Sequence, residues 1–159
     1  MTSIQTRLAS LEDILLLSDY RYDGMALKQL AQRVKLKPHA RQLWEAAAAG
    51  WVNDADCYFA TAWDNNILLG CVIVKIAENT PGLLPDRVGV LEDLILDIHA
   101  AGVSGGVGRE LVTIARSWLS DQGISILRIC VSAPSSVEQA FWIALGAKQK
   151  GLMYCLDNG

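Results

Sequence analysis

Residues 88–109 read VGVLEDLILDIHAAGVSGGVGR, and two groups in this stretch are equipped for chemistry. The first is Glu92. With 88–98 as a strand, the alternate positions Val88, Val90, Leu94, Leu96 and Ile98 make one apolar face, and Glu92 is its only exception. A lone carboxylate on such a face is poorly solvated, which suits it to accept a proton near neutral pH. The second group is the crowd of Gly102, Gly105, Gly106 and Gly108, which separates the strand from a strongly helical run. A strand feeding a glycine turn at a helix start aims unpaired backbone N–H groups and a positive dipole end at one point, where a phosphate can sit. No Lys followed by Ser or Thr comes after the glycines, so the loop is not a nucleoside-triphosphate P-loop.

Each of these residues has a plainer reading beside the chemical one. The glycines could form a mere tight turn, although so many of them at a helix entry are costly in chain entropy. Glu92 could be a structural, hydrogen-bonded acid. Asp93 and Asp97 fall on the opposite side of the strand and read as surface or capping residues. His99 lies near the strand end without a carboxylate or cysteine in register, and His39 reads as helix surface. The cysteines Cys57, Cys71, Cys130 and Cys155 stand in strand-like apolar contexts with no CxxC spacing, which marks reduced core residues rather than metal ligands or redox pairs. No metal is expected.

The elements that position these groups follow from pattern. Residues 4–8 alternate as a short strand, and Ser10 with Asp13 forms a capping box for a helix that should end near Asp23-Gly24. Residues 25–37 are less regular, a short helix or a mobile segment. Pro38 suits the first turn of a second helix that Gly50 should stop. Residues 56–63 and 67–77 are β-rich and flank Asp64-Asn65-Asn66, a hairpin signature. After the glycine turn, Val107, Leu111, Ile114, Ala115, Trp118 and Leu119 share one helical face, and Gly123 ends that helix. Residues 124–133 are a strand parallel to 88–98, Ser135 to Glu138 offers a second capping box for a helix ending at Gly146, and residues 147–156 form the last strand.

The chain has 159 residues, 52% of them apolar and 19% charged, with a net charge of −3 and a pI near 5.3. That fits one domain over 1–159, of mixed α/β class, with neither repeat nor linker. No apolar run approaches the roughly 20 residues of a membrane span. The basic residues are scattered apart from a short patch at 33–37, which argues against a nucleic-acid partner. With no secretion signal in MTSIQTRLASLED, a cytoplasmic location is expected.

This order of elements resembles the GNAT superfamily of N-acetyltransferases across nearly the whole chain. The resemblance implies a mixed, mostly antiparallel sheet of about six strands flanked by about four helices, around a strand, glycine loop, helix, strand crossover. Val103, Ser104, Gly105, Gly106, Val107 and Gly108 match the family's cofactor loop, with Val103 where Gln or Arg usually stands. Leu94, Leu96 and Ile98 match its fourth strand, and Phe141-Trp142 followed by Gly146-Ala147 matches its aromatic pair and glycine. The resemblance implies acetyl-CoA as cosubstrate, its diphosphate on the amides of 103–108 and its pantetheine beside Leu96, Asp97 and Ile98. Counting back fourteen residues from Gly106 places the glutamate base of the histone-acetyltransferase branch at Glu92.

Two further positions depart from the family pattern. Ser135 replaces an Asn after the fifth strand, where it either touches the cofactor or only caps a helix. Trp142 replaces a Tyr that can protonate the departing thiolate, and indole does not titrate. Trp142 reads either as core or as lining of the pantetheine channel, and either Tyr154 substitutes as the acid or the thiolate leaves without a dedicated one. The implied reaction is direct attack of a primary amine, from a small molecule or peptide, on the thioester. Backbone N–H groups near Ile98 stabilise the oxyanion. Two alternatives stay open: a catalytically weak acyl-CoA-binding module of the same fold, and a dinucleotide-binding unit, which would need an acidic residue where the next strand ends in Ser132-Ala133. The acceptor would be bounded by 23–37 and by the chain's end, which leaves that side open or covered by a second subunit in a homodimer.

Overall fold

The computed structural model describes residues 3–30, 34–97, 104–131 and 135–158. Asn65 adopts a left-handed backbone (φ 53°), which Asn tolerates, and closes a hairpin between β2 (Cys57–Asp64) and β3 (Ile67–Glu78). Strand β1 (Ile4–Leu8) pairs antiparallel with β2, and β4 (Arg87–Leu96) pairs antiparallel with β3. Strand β5 (Leu127–Arg128) joins β4 in parallel, giving the order β1-β2-β3-β4-β5. The chain divides into two compact units, Met1–Ile129 and Cys130–Gly159.

Strand β3 is buried on both faces, which is why its middle reads as an unbroken apolar run rather than an alternation. Cys71 and Ile73 face a core built with Leu17, Trp44 and Ala48, from α1 (Ile14–Leu30) and α2 (Ala40–Val52). Val72 and Val74 face the opposite core with Val107, Leu111, Ala115 and Leu119, from α3 (Ser104–Asp121). The predicted apolar stripe of α3 is therefore the stripe that packs on the sheet. Gly89 lets this helix approach β4, since a Cβ there would meet Leu119 Cδ1 at 2.7 Å. Helix α4 (Ser136–Ala144) belongs to the second unit. No helix among the described residues is long and apolar enough to cross a membrane.

Several sequence expectations are corrected. Helix α1 does not stop at Gly24 but runs to Leu30. One interior glycine costs only about 1 kcal/mol, and Leu17, Tyr20 and Tyr22 anchor the helix on the core. Helix α2 begins at Ala40 rather than Pro38, with His39 left-handed (φ 58°) at its N-cap, and it continues past Gly50 because Trp51 and Val52 pack against the same core. The strand expected over 124–133 pairs only at Leu127–Arg128.

The described sheet has five strands instead of about six. Residues 147–156 form no ladder: the stretch opens with the polar Lys148-Gln149-Lys150, Gly151 weakens it, and Leu152, Met153, Tyr154 and Leu156 are exposed. All four cysteines are free thiols. Cys71 is buried and Cys57 half-buried, but Cys130 and Cys155 are exposed, against the expectation of four core residues.

Candidate functional site

A β-bulge decides the geometry around Glu92. Asp93 pairs with Ile73 and Leu91 with Val74, so Glu92 is the extra residue of β4 and the alternation of its side chains breaks there. Before the bulge, Gly89 and Leu91 face α3. Beyond it, Leu94 and Leu96 face α3 while Ile95 faces α1 and α2. Val88 and Glu92 therefore do not share a face with Leu94 and Leu96. Nor is Glu92 poorly solvated: it is 37% exposed, and its Oε2 lies 3.5 Å from Lys75 Nζ. That ammonium in turn sits 4.1 Å from the centre of the Trp51 ring, on the α1/α2 side of the sheet.

Asp93, at 16% side-chain exposure, is the more buried of the two acids on that side, correcting its expected surface or capping position. It accepts a hydrogen bond from Trp44 Nε1 at 3.0 Å and pairs with Arg21, whose guanidinium lies 5.4 Å from the Trp44 ring centre and 5.9 Å from that of Tyr22. Burial pushes the Asp93 carboxyl above the usual carboxylate range despite the lowering by Arg21 and Trp44, and Glu92 adds to the rise. Asp97 is half-buried, and its backbone N–H donates to Leu69 O at 2.9 Å. Burial raises the Tyr20 phenol, with the charge of Asp97 contributing.

The β4–β5 ladder contains only Gly89↔Leu127 and Val90↔Arg128, whereas β4 continues to Leu96. Asp97 N–H points at β3, and main-chain groups alternate along a strand, so those of Leu94 and Leu96 point away from β3. On that side they have no ladder partner among the described residues. Leu96, Leu69 and Ile4 pack in one cluster with Val107, which puts the first turn of α3 beside this end of β4.

Residues Ser104, Gly105, Gly106 and Val107 form that first turn, whose N–H groups have no partner within the helix. Val107 and Gly108 are buried, whereas Gly106 is exposed and a Cβ there would meet only Ile4 Cδ1 at 3.8 Å. Packing among the described residues thus gives no reason for glycine at 106. A glycine at a helix start leaves the backbone open to close approach.

Of the residues singled out in the sequence, Leu96 shares a core cluster with Val107 of the first turn of α3, and Asp97 follows Leu96 at the end of β4. Ile98, His99, Gly102 and Val103 lie outside the described residues. In the second unit, Ser135 Oγ accepts from Glu138 N–H at 3.3 Å and so caps α4. Trp142 is buried and meets Phe141 edge-on at 4.9 Å, and Tyr154 is exposed in an irregular stretch. Sequence reasoning missed Arg21, Trp44, Trp51 and Lys75. No local spacing announces them, because Arg21 and Trp44 meet Asp93 across 72 and 49 residues.

Neither a family model nor a curated protein matches the chain. Solved structures do. A GCN5-related N-acetyltransferase from Ralstonia eutropha superposes with a TM-score of 0.75 at 14% identity, over 99% of this chain and 100% of that one. A predicted acetyltransferase from Clostridium acetobutylicum, solved with acetyl-CoA, gives 0.78 at 12% identity over 98% and 96%. The aminoglycoside 6'-N-acetyltransferase AAC(6')-Ih from Acinetobacter baumannii gives 0.73 at 13% over 99% of both. The chain has the fold of the GCN5-related N-acetyltransferases.

Proposed function

We propose that this chain is an N-acetyltransferase that moves an acetyl group from acetyl-CoA to a primary amine of a small molecule or peptide. The observation that carries the reading is the edge of β4 at Leu94 and Leu96, which has no ladder partner among the described residues, together with the glycine-rich first turn of α3. Such an edge can receive the amide groups of a pantetheine arm as it would a strand. The first-turn N–H groups of 104–108 then hold the diphosphate without a cationic side chain. The fold neighbour from Clostridium acetobutylicum, solved with acetyl-CoA, supports this cosubstrate, and AAC(6')-Ih supports a small-molecule amine.

In this reading Glu92, directly or through water, takes a proton from the acceptor ammonium. The amine attacks the thioester carbonyl, a C–N bond forms, the nitrogen gives its second proton to water and the C–S bond breaks, with a main-chain N–H of the β4 edge or near Ile98 facing the oxyanion. The thiolate leaves and takes up a proton, for which Tyr154 is the proposed donor. Leu96, Asp97, Ile98, Val103, Ser135 and Trp142 are proposed to flank the cofactor, the last two and Tyr154 on the GNAT resemblance alone. A cytoplasmic location and a second copy covering the acceptor side belong to the same proposal.

Calorimetry with CoA, followed by a free-thiol assay with acetyl-CoA and a panel of polyamines, amino acids, aminoglycosides and peptide amino termini, tests it. Binding with thiol release on at least one amine is the expected result. Binding without release on any amine makes the chain an acyl-CoA-binding module, and no heat at millimolar CoA overturns the reading.

A further inference from the structure

The proposed base stands next to a cluster that ordinary stability does not explain. Asp93 is mostly buried, at 16% side-chain exposure, and so is Arg21, at 19%. Burying an ion pair gives little net stabilisation, because desolvation offsets the attraction. Here the cost is higher still, since Arg21 Nε is buried without a hydrogen-bond partner. Asp93 spends both carboxylate oxygens on groups from two different helices, Arg21 of α1 and Trp44 of α2. It is also the residue that resumes the β3 register directly after the extra residue Glu92.

We infer that Asp93 is a positioning residue: by tying Arg21 and Trp44 to the second position of the bulge, it fixes the β4 backbone so that the Glu92 carboxylate is presented on the α1/α2 face beside Lys75. A bulge is locally soft, because its extra residue has no ladder partner, and a slip of one residue would turn Glu92 to the other side of the sheet. Helices α1 and α2 both converge on Asp93 and remove that freedom. The significance of this placement for catalysis rests on the reading of Glu92 as base, but the placement itself is measurable without any substrate.

Lys75 is the reporter. Its reactivity toward acetic anhydride, read by mass spectrometry against Lys35, Lys37 and Lys148 as internal standards, depends on whether Glu92 is held against it. Glu92→Gln sets the value for an absent partner, expected to be about threefold above the unsubstituted chain, the size of a partly exposed ion pair. Asp93→Asn, which keeps the shape and an acceptor for Trp44 but not the charge, should raise Lys75 labelling toward that value while CoA binding by calorimetry stays the same.

Trp44→Phe removes the indole N–H together with part of the ring's volume, keeps an aromatic ring in the core, and serves if Asp93→Asn does not fold; it should move labelling in the same direction by less. With any amine that the unsubstituted protein acetylates, Asp93→Asn should lower kcat about tenfold at unchanged KM for acetyl-CoA, and Arg21→Lys should retain more activity than Arg21→Met. Lys75 labelling that is unchanged in every folded variant overturns the inference. Raised labelling in a protein that acetylates no amine upholds the placement and overturns the base assignment instead.

Discussion

Glu92 and Asp93 are consecutive in β4, yet both act on the same side of the sheet, one beside Lys75 and Trp51 and the other against Arg21 and Trp44. In a regular strand neighbours point to opposite faces. The bulge between the pairs Ile73↔Asp93 and Val74↔Leu91 removes that alternation and puts an exposed, ion-paired carboxylate next to a buried, clamped one. The two acids therefore sit in different settings: Glu92 is reachable from solvent, and Asp93 is held by Arg21 and Trp44.

The exposed acid carries the first prediction. Glu92→Gln preserves volume and a hydrogen-bonding group but cannot take a proton. It should lower kcat/KM for an acetylated amine by roughly 10²-fold, the ordinary scale for a general base. CoA affinity should stay as it was, because Glu92 lies on the face away from α3. An unchanged rate and pH profile in this variant would remove Glu92 from the mechanism.

The buried acid carries a pH dependence. Burial pushes the Asp93 carboxyl above its ordinary value even with Arg21 and Trp44 pulling it down. The folded chain then binds the Asp93 proton more tightly than the unfolded chain. The stability this supplies is present in acid and is lost as pH rises from the ordinary carboxylate value through the raised one. Asp93→Asn deletes that dependence, while every other carboxylate is common to both proteins. The melting temperature of the variant minus that of the parent should become more positive between about pH 4 and neutrality. A flat or falling difference would mean that burial does not outweigh Arg21 at this position.

Local chemistry was legible in the sequence, and long-range register was not. The hairpin at Asn65, strand β1 at Ile4–Leu8 and the α3 stripe from Val107 to Leu119 all follow from turn residues and periodicity within one window. Glu92 was picked out by assuming strict alternation from Val88 to Ile98, and the bulge removes that ground while leaving the residue beside a cation. A bulge is set by what pairs across two strands and packs behind them, here Arg21 and Trp44, and neither appears near Asp93 in the chain. Gly24 and Gly50 misled for the same reason: each has a breaker's local preference, and tertiary packing on either side carries the helix through.

Thiol reactivity separates the four cysteines. Burial, assisted by Asp54, pushes the Cys57 thiol up to about 11, and burial raises Cys71 as well. Thiolate is the reacting species, so both should be slow at neutral pH. Cys130 and Cys155 are exposed. Titration with an aromatic disulfide reagent should show two fast thiols and release the other two only on unfolding. Fast reaction at Cys57, located by peptide mapping, would contradict its burial.

Two glycines make opposite predictions under the same substitution. At Gly70 an added Cβ would meet the backbone oxygen of Ile95 at 2.3 Å and Leu96 Cα at 3.2 Å, so β3 and β4 must move apart to admit it. Gly70→Ala should therefore cost about 1–3 kcal/mol, the range for overpacking a closed interior, visible as a lower melting temperature. At Gly106 the same Cβ would find, among the described residues, only Ile4 Cδ1 at 3.8 Å, an ordinary contact, and the backbone there is helical. Gly106→Ala should leave the melting temperature unchanged or raise it, since alanine is the better helix former by up to about 1 kcal/mol. It should nevertheless weaken CoA about tenfold or more, about 1.4 kcal/mol, because the methyl group would stand where the diphosphate approaches the first-turn N–H groups of α3. A Gly106→Ala protein that is as stable as its parent and binds CoA equally well would show that the anion does not sit at this helix start.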